Sequence, residues 1–336
     1  MAKNGCFIRT CILVFLASCY SIEFSFGGDV IVATVGFPPA ILISSITVND
    51  TAIDLKPIRL LDSMLGTPGG IVYDGISSTI YWKDERLRTI DKYYLVDGTH
   101  DVFISDVDTK NILNSINIDV IDRKLYWVDD GGISIYVINL NGTGRMRVFT
   151  DPSINRFNEL QIDSTNRYLY GIVVNMDYRV KIERISLDDH SFRQNIIEPR
   201  YSQVSGMSIS ENGKLYWYDG GDSVIWECDL DGTNSRQVAN DLYNVLSTQV
   251  YRNYVYYNTA YNDGIGRANI ETGDKFEMYD NAVQVMYIYS GDSCNIDCRN
   301  GAVCINSVDN TQSCWCPTGF VGPRCTTLTG YCKSCV

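Results

Sequence analysis

The stretch KLYWVDDGG at Lys124–Gly132 returns ninety residues later as KLYWYDGGD at Lys214–Asp222, and this repetition constrains the fold more than any other feature. The same position is filled by IYWKDE around Tyr81, LYGIVV around Tyr170 and VYYNTA around Tyr256. From Tyr81 through Tyr126, Tyr170 and Tyr216 to Tyr256 the spacings are 45, 44, 46 and 40 residues. A period in the forties with several short strands per repeat is the pattern of a β-propeller, in which each blade is a four-stranded sheet. The two quoted stretches then lie two blades apart.

Other landmarks recur in phase. A short alternating strand precedes each tyrosine: GIVYD (Gly70–Asp74), NSINID (Asn114–Asp119), NELQID (Asn158–Asp163) and GMSIS (Gly206–Ser210). The turns NLNGTGR (Asn139–Arg145) and DLDGTNSR (Asp229–Arg236) place Gly142 and Gly232 ninety apart, and Asn-Gly and Asp-Gly suit a type I′ hairpin. Tyrosine beside tryptophan in a strand means that both sheet faces are apolar, as in a blade covered on each side by its neighbours. The aspartate that follows, Asp84, Asp129 or Asp219, marks the end of that strand. Its recurrence in several blades favours a structural role over a catalytic one.

YWKD, YWVD and YWYD, with LDGT-like turns at this period, resemble the YWTD (class B) repeats of the low-density lipoprotein receptor family. The resemblance runs from about Val30 to Gly291 and implies an all-β six-bladed propeller. Its structural motif residues here are Tyr81, Trp82, Asp84, Tyr126, Trp127, Asp129, Tyr170, Tyr216, Trp217, Asp219 and Tyr256. The pattern is degraded at Tyr170, which lacks Trp and Asp, and at Tyr256, which lacks Asp. A sixth blade, inferred from the period alone, would carry its equivalent strand at AILIS (Ala40–Ser44). The last strand, VQVMYIYS (Val283–Ser290), would pair with the N-terminal strands and close the ring.

The first nineteen residues carry Lys3 and Arg9, an apolar run from Cys11 to Leu16, and small residues at Ala17 and Cys19, the layout of a secretory signal peptide. Residues 20–29 read as a short linker before a propeller at 30–291. The apolar stretch Asp29–Val48 is broken by Gly36, Pro38 and Pro39 and reads as two strands, not a membrane span. No later window is apolar enough to cross a bilayer. Losing residues 1–19 moves the formal charge from −12 to −14, and an acidic chain without basic runs excludes nucleic acid as a natural partner.

Export also sets the redox compartment. Six of the nine cysteines beyond residue 19, namely Cys294, Cys298, Cys304, Cys314, Cys316 and Cys325, crowd into 32 residues, a density that signals disulfides. Six cysteines alone allow fifteen pairings. The ending Cys314-Trp-Cys316, with Gly322 three residues before Cys325, resembles an EGF-like module at 292–326. That resemblance implies the pairs Cys294–Cys304, Cys298–Cys314 and Cys316–Cys325. Without the acidic cluster of calcium-binding modules, no calcium is expected there. Cys228 in VIWECDL reads as a buried free thiol. Cys332 and Cys335, in the tail 327–336, suit a bridge within the tail or to a partner, including a disulfide-linked dimer.

Asn49 and Asn141 are N-glycosylation sequons. His100 and His190 fall in polar stretches where a solvated histidine is the default. No nucleophile elbow, phosphate loop or HExxH is present, so no catalytic residue, metal ligand or cofactor is assigned. The expected function is extracellular protein binding, with a propeller face as the platform for a matrix protein or other extracellular ligand. Within the resembled family, propellers serve receptor recycling, Wnt co-reception and, in nidogen, laminin attachment. The alternatives are a soluble modulator or decoy of Wnt-type or lipoprotein-receptor-type signalling, and a propeller hydrolase with a metal at the channel mouth.

Overall fold

Buried on both faces, a strand such as TIYWKD has no solvent side on which to alternate, and the computed structural model shows how such strands are covered. It describes residues 29–290, leaving aside 37, 47–50, 54, 58–64, 96–97, 109–114, 200–202, 261–263, 280 and 282, together with 303–306, 312–315, 320–324 and 326–328. Gly28–Ser293 form one compact unit. Within it stand six antiparallel four-stranded sheets, the blades of a six-bladed propeller.

Blade 1 runs outward from the axis as Pro68–Asp74, Thr79–Asp84, Thr89–Tyr94 and Thr99–Ile104. Blades 2 to 5 follow in the same order, with inner strands Ile116–Asp119, Ile154–Asp163, Val204–Ile209 and Val245–Tyr251. Blade 6 is assembled from both ends of the unit. Its inner strand is Val285–Tyr289, followed outward by Val30–Gly36, Pro39–Ser45 and Lys56–Pro57. Val32 sits opposite Tyr287 on one side and Ile43 on the other, so the ring closes as the sequence leads one to expect. Closure of this kind removes the open sheet edges on which chains aggregate.

The strand equivalent to the YWxD strands is therefore Val30–Gly36, second from the axis, and not AILIS, which lies in the third strand. The period misplaces it because Val32, which faces Tyr287 of the inner strand, lies 49 residues before Tyr81, so a count of 40 falls one strand short.

The tyrosine and tryptophan of each motif face different neighbours. Tyr81 of blade 1 shares one buried layer with Trp127 of blade 2, and Tyr170 of blade 3 shares another with Trp217 of blade 4. Tyr126 turns the other way from Trp127, into the layer between blades 2 and 3. Each layer thus takes a tyrosine from one blade and the next residue of the motif from the following one, which is what period-two alternation gives when both sides are covered. Where the motif loses its tryptophan, the layer is refilled. Gly171 stands at that position in blade 3, and Phe157 of the inner strand lies so close that a Cβ on Gly171 would come 3.0 Å from its Cδ1. Phe157 is fully buried beside Tyr126 and Val128.

The outer turns differ from the type I′ expectation. Gly142 donates to the Asn139 carbonyl at 2.8 Å, and Gly232 to the Asp229 carbonyl at 2.9 Å. Gly142 and Gly232 hold positive φ, at 86° and 90°, while Asn141 and Asp231 do not. These are three-residue loops, a type I turn completed by a left-handed glycine, one residue longer than a type I′ loop.

In the remaining C-terminal segment, the backbone forms two short antiparallel pairs, Val303–Asn306 with Gln312–Trp315 and Phe320–Val321 with Thr327–Leu328. The side chains of the EGF-like cysteines, the tail cysteines, residues 1–19 and Asn49 lie outside the described residues. Among the described residues no helix is long and apolar enough to cross a membrane.

Candidate binding faces of the propeller

Chain direction fixes two faces. Inner strands run from a face that carries the connectors between blades to a face that carries the first hairpin turns, and the second strands run back. Asp84, Asp129 and Asp219 therefore end their strands on the connector face, and Asp74, Asp119 and Asp163 end theirs on the hairpin face.

The motif aspartates lie beneath the connector face. Asp84 is fully buried and accepts the backbone N–H groups of Gly66 at 2.6 Å, Thr67 at 3.1 Å and Leu87 at 2.9 Å. Asp129 accepts the N–H of Asp108 at 2.6 Å and the indole N–H of Trp127 at 3.0 Å. Each clamps the segment that leads into its own blade. Asp219 accepts the N–H of Gly221 at 2.9 Å, and burial raises its pKa. In the degraded blades Val173 and Thr259 stand in this place.

The residue before the aspartate ties its blade to the next. Lys83, fully buried, donates from Nζ to Ser115 Oγ at 2.6 Å at the start of blade 2. Burial pushes its ammonium down to about 8, against the pull of Glu85 and Asp129. In blade 5 Asn258 does the same work without a charge, donating to the Val283 carbonyl at 2.7 Å and accepting the Ser247 N–H at 3.1 Å. Neither residue stands out in the sequence, because the signal lies only in the position within the repeat.

Above these clamps lie the turns and connectors of the connector face. Leu87, Met176, Tyr178 and Tyr243 are exposed there, the last two by 65% and 67%. Tyrosine supplies large contact area at small entropic cost, so exposed tyrosines on a rigid frame can anchor a partner.

The hairpin face carries ion pairs beside the exposed apolar side chains of Val120, Ile121 and Phe192. Arg123 in the first turn of blade 2 grips Asp74 of blade 1, and Arg167 of blade 3 grips Asp119 of blade 2 at 2.7 Å. Both arginines hold positive φ, at 56° and 63°, immediately before their motif strands. Asn141 is exposed on this face, its Oδ1 accepting the Thr143 N–H at 3.0 Å and hydroxyl at 2.7 Å. On the axis is a cavity of about 490 Å³ lined by inner strands of blades 2 to 6.

His100 lies in a strand and not in a solvated turn. Its ring stacks on Trp82 at 5.3 Å, and its Nε2 lies 2.9 Å from Asp91, whose pKa burial raises. This pair braces blade 1, where Asp91 stands opposite Trp82 in place of the aromatic partners Tyr136 and Trp226 found in blades 2 and 4. His190 sits in a turn, and burial lowers its pKa. Cys228 is a buried free thiol that burial pushes up to about 12. Among the described residues no group of three or more His, Cys, Asp or Glu could hold a metal ion.

Sequence comparison agrees with this layering. The chain is 26% identical over 275 residues to low-density lipoprotein receptor-related protein 5 of Mus musculus, covering 75% of this chain and 16% of that protein. The propeller is similar to those of the low-density lipoprotein receptor YWTD type. It is also similar to protein cueball of Drosophila grimshawi, 23% identical over 301 residues, which cover 81% of this chain and 47% of cueball. Among solved structures, the crystal structure of a nidogen/laminin complex superposes with a TM-score of 0.67 at 17% identity, covering 78% of this chain and 98% of that one. No family model matches the chain. The chain spans only 16% of the receptor-related protein and 47% of cueball.

Proposed function

We propose that this protein is an extracellular binding module, a matrix or adaptor protein that presents the connector face of its propeller to a protein partner. The observation that carries the reading is the pairing of a clamped frame with exposed anchors. Tyr178 stands in a turn that its own N–H closes on the Asn175 carbonyl at 2.9 Å, and Tyr243 follows Leu242, whose carbonyl accepts the Tyr218 hydroxyl at 2.9 Å, so both are displayed on segments that need little ordering on binding. The fold shared with the nidogen/laminin complex supports a matrix partner. The signal-like residues 1–19 and the cysteine-rich segment 292–326 support secretion. A second reading, a modulator of lipoprotein-receptor-type signalling, rests on the similarity to the receptor-related protein.

The test is capture. The chain, secreted from cells so that its cysteines oxidise, is crosslinked to purified laminin and to an extracellular matrix extract, in parallel with the double variant Tyr178→Glu/Tyr243→Glu. Crosslinks to connector-face residues that the variant abolishes, at unchanged melting temperature, support the reading. Capture that the variant leaves intact sinks the proposed face, and capture of a receptor ectodomain in place of matrix protein moves the reading to the modulator.

A further inference from the structure

The axial cavity on the hairpin face has a composition of its own. At the level where the inner strands face the motif tyrosines, blades 2, 3 and 5 present Asn117, Gln161 and Gln249, all more than nine-tenths buried. The first two form a chain. Asn117 Nδ2 donates to Gln161 Oε1 at 3.1 Å, and Gln161 Nε2 donates across the next blade boundary to the Met207 carbonyl at 2.9 Å. Blade 4 breaks the chain, because Ser208 is too short to carry it on and turns to Thr248, its Oγ 3.1 Å from the threonine hydroxyl. Gln249 is left lining the cavity with a side-chain amide that makes no hydrogen bond to any described residue. The amide opens to the cavity, so its two donors and its acceptor are available to whatever occupies it.

The rest of the lining restricts what that can be. Among the described residues the wall contains no lysine or arginine, and its only charged groups are Asp163 and Glu211, so anions are disfavoured. Asp163 is already engaged by the Asn166 N–H and side-chain amide, at 3.0 and 2.7 Å. What remains are amides, the hydroxyls of Ser164, Thr165 and Ser210, Tyr287 and Tyr289 of the closing strand, and aliphatic residues such as Ile118, Ile209 and Val250. Planar amides that match neighbouring hydroxyls, beside aromatic rings, suit a neutral polyhydroxylated ring, and the volume lies within the range of small-ligand sites.

We propose that this cavity binds one or two residues of a neutral saccharide, with Gln249 as its hydrogen-bonding contact. The site lies on the opposite face from the protein platform and does not depend on it.

The secreted protein is titrated with mannose, N-acetylglucosamine, N,N′-diacetylchitobiose and a high-mannose Asn-linked glycopeptide, with glucuronate as the anionic control, and binding is read by saturation-transfer NMR. At least one neutral sugar should bind with a Kd on the order of 1 mM or tighter, glucuronate more weakly. The free sugars and the glycopeptide distinguish a soluble saccharide from a protein-linked glycan. Gln249→Leu should weaken binding roughly tenfold or more while leaving the melting temperature unchanged or raised, since the side chain gives up no hydrogen bond to a described residue. Thr165→Trp, from an exposed turn, should block the mouth. If no neutral sugar binds at roughly 10 mM, or if Gln249→Leu lowers the melting temperature and leaves binding intact, the proposal is overturned and Gln249 is a structural rung.

Discussion

Arg123 of blade 2 reaches back across the blade boundary to hold Asp74 of blade 1, its Nη1 donating at 2.6 Å to a carboxylate that is almost wholly buried. The pair joins the first turn of one blade to the end of the previous inner strand. Arg167 and Asp119 repeat it one blade further, and the series ends at Gly213. Arg123→Ala should destabilise by about 1–3 kcal/mol. That is less than the removal of one partner from a wholly buried pair, because the guanidinium is 34% exposed and Asp74 keeps the N–H of Ile76 and the hydroxyl of Ser77. Arg123→Lys should recover only part, since one ammonium cannot make both bonds. Denaturant titration reads both, and a cost no larger than at a solvated surface arginine would show that the blades are not tied here.

Phe157 and Gly171 form a compensated pair, so each should depend on the other. Phe157→Ala should cost about 3–5 kcal/mol, as expected for emptying a fully buried aromatic site. Gly171→Ala should destabilise as well, because its Cβ would press on the Phe157 ring at 3.0 Å. In the Phe157→Ala/Gly171→Trp double variant the restored tryptophan should occupy the vacated space. A double-mutant cycle should then show a favourable coupling of about 1–3 kcal/mol, and additive losses would refute the replacement.

Much of this was legible in the sequence, and the rest fails for identifiable reasons. Tyr81, Tyr126 and Tyr216 mark blades because burial on both faces forces the same apolar pair into every covered strand. Phe157 is invisible as a replacement for tryptophan because it comes from a different strand, 14 positions before the glycine it compensates. Lys83 reads as an ordinary solvated lysine until the neighbouring blade is in place, and Gln249 looks like any polar strand residue until Ser208 breaks the amide chain beside it. His100 is misread for the same reason, since its partners Asp91 and Trp82 meet it only across the sheet. Local pattern reports burial well. It does not report which blade supplies the covering atoms.

Asn141 tests secretion and surface geometry together. The residue is exposed, and only its Oδ1 is held, by Thr143, which leaves the amide nitrogen outward for a glycan. Protein secreted from eukaryotic cells should lose mass on amidase treatment, with deamidation at position 141 by peptide mapping. Asn141→Gln should abolish that product and leave the melting temperature nearly unchanged. An unmodified Asn141 in secreted protein would show that this turn is closed to the transferase.

Lys83 gives the fold a pH dependence whose sign is opposite to that of its many buried tyrosines. Burial lowers its folded pKa from 10.5 to about 8, so between those values the unfolded chain binds the proton more tightly than the folded one. Stability contributed by this site therefore rises as pH increases from about 8 towards 10.5 and is lowest below 8, where the ammonium must be held charged inside the blade boundary. The buried tyrosines, with folded pKa values raised by burial, lose stability over the upper part of the same range and mask the effect in the wild type alone. The difference between wild type and Lys83→Met removes those shared contributions. Denaturant midpoints taken between about pH 7.5 and 9.5 should show the wild type gaining on the variant as pH rises. A difference that stays flat would mean that Ser115 and the nearby carboxylates hold the lysine charged throughout, and that the blade boundary is wetter than its burial implies.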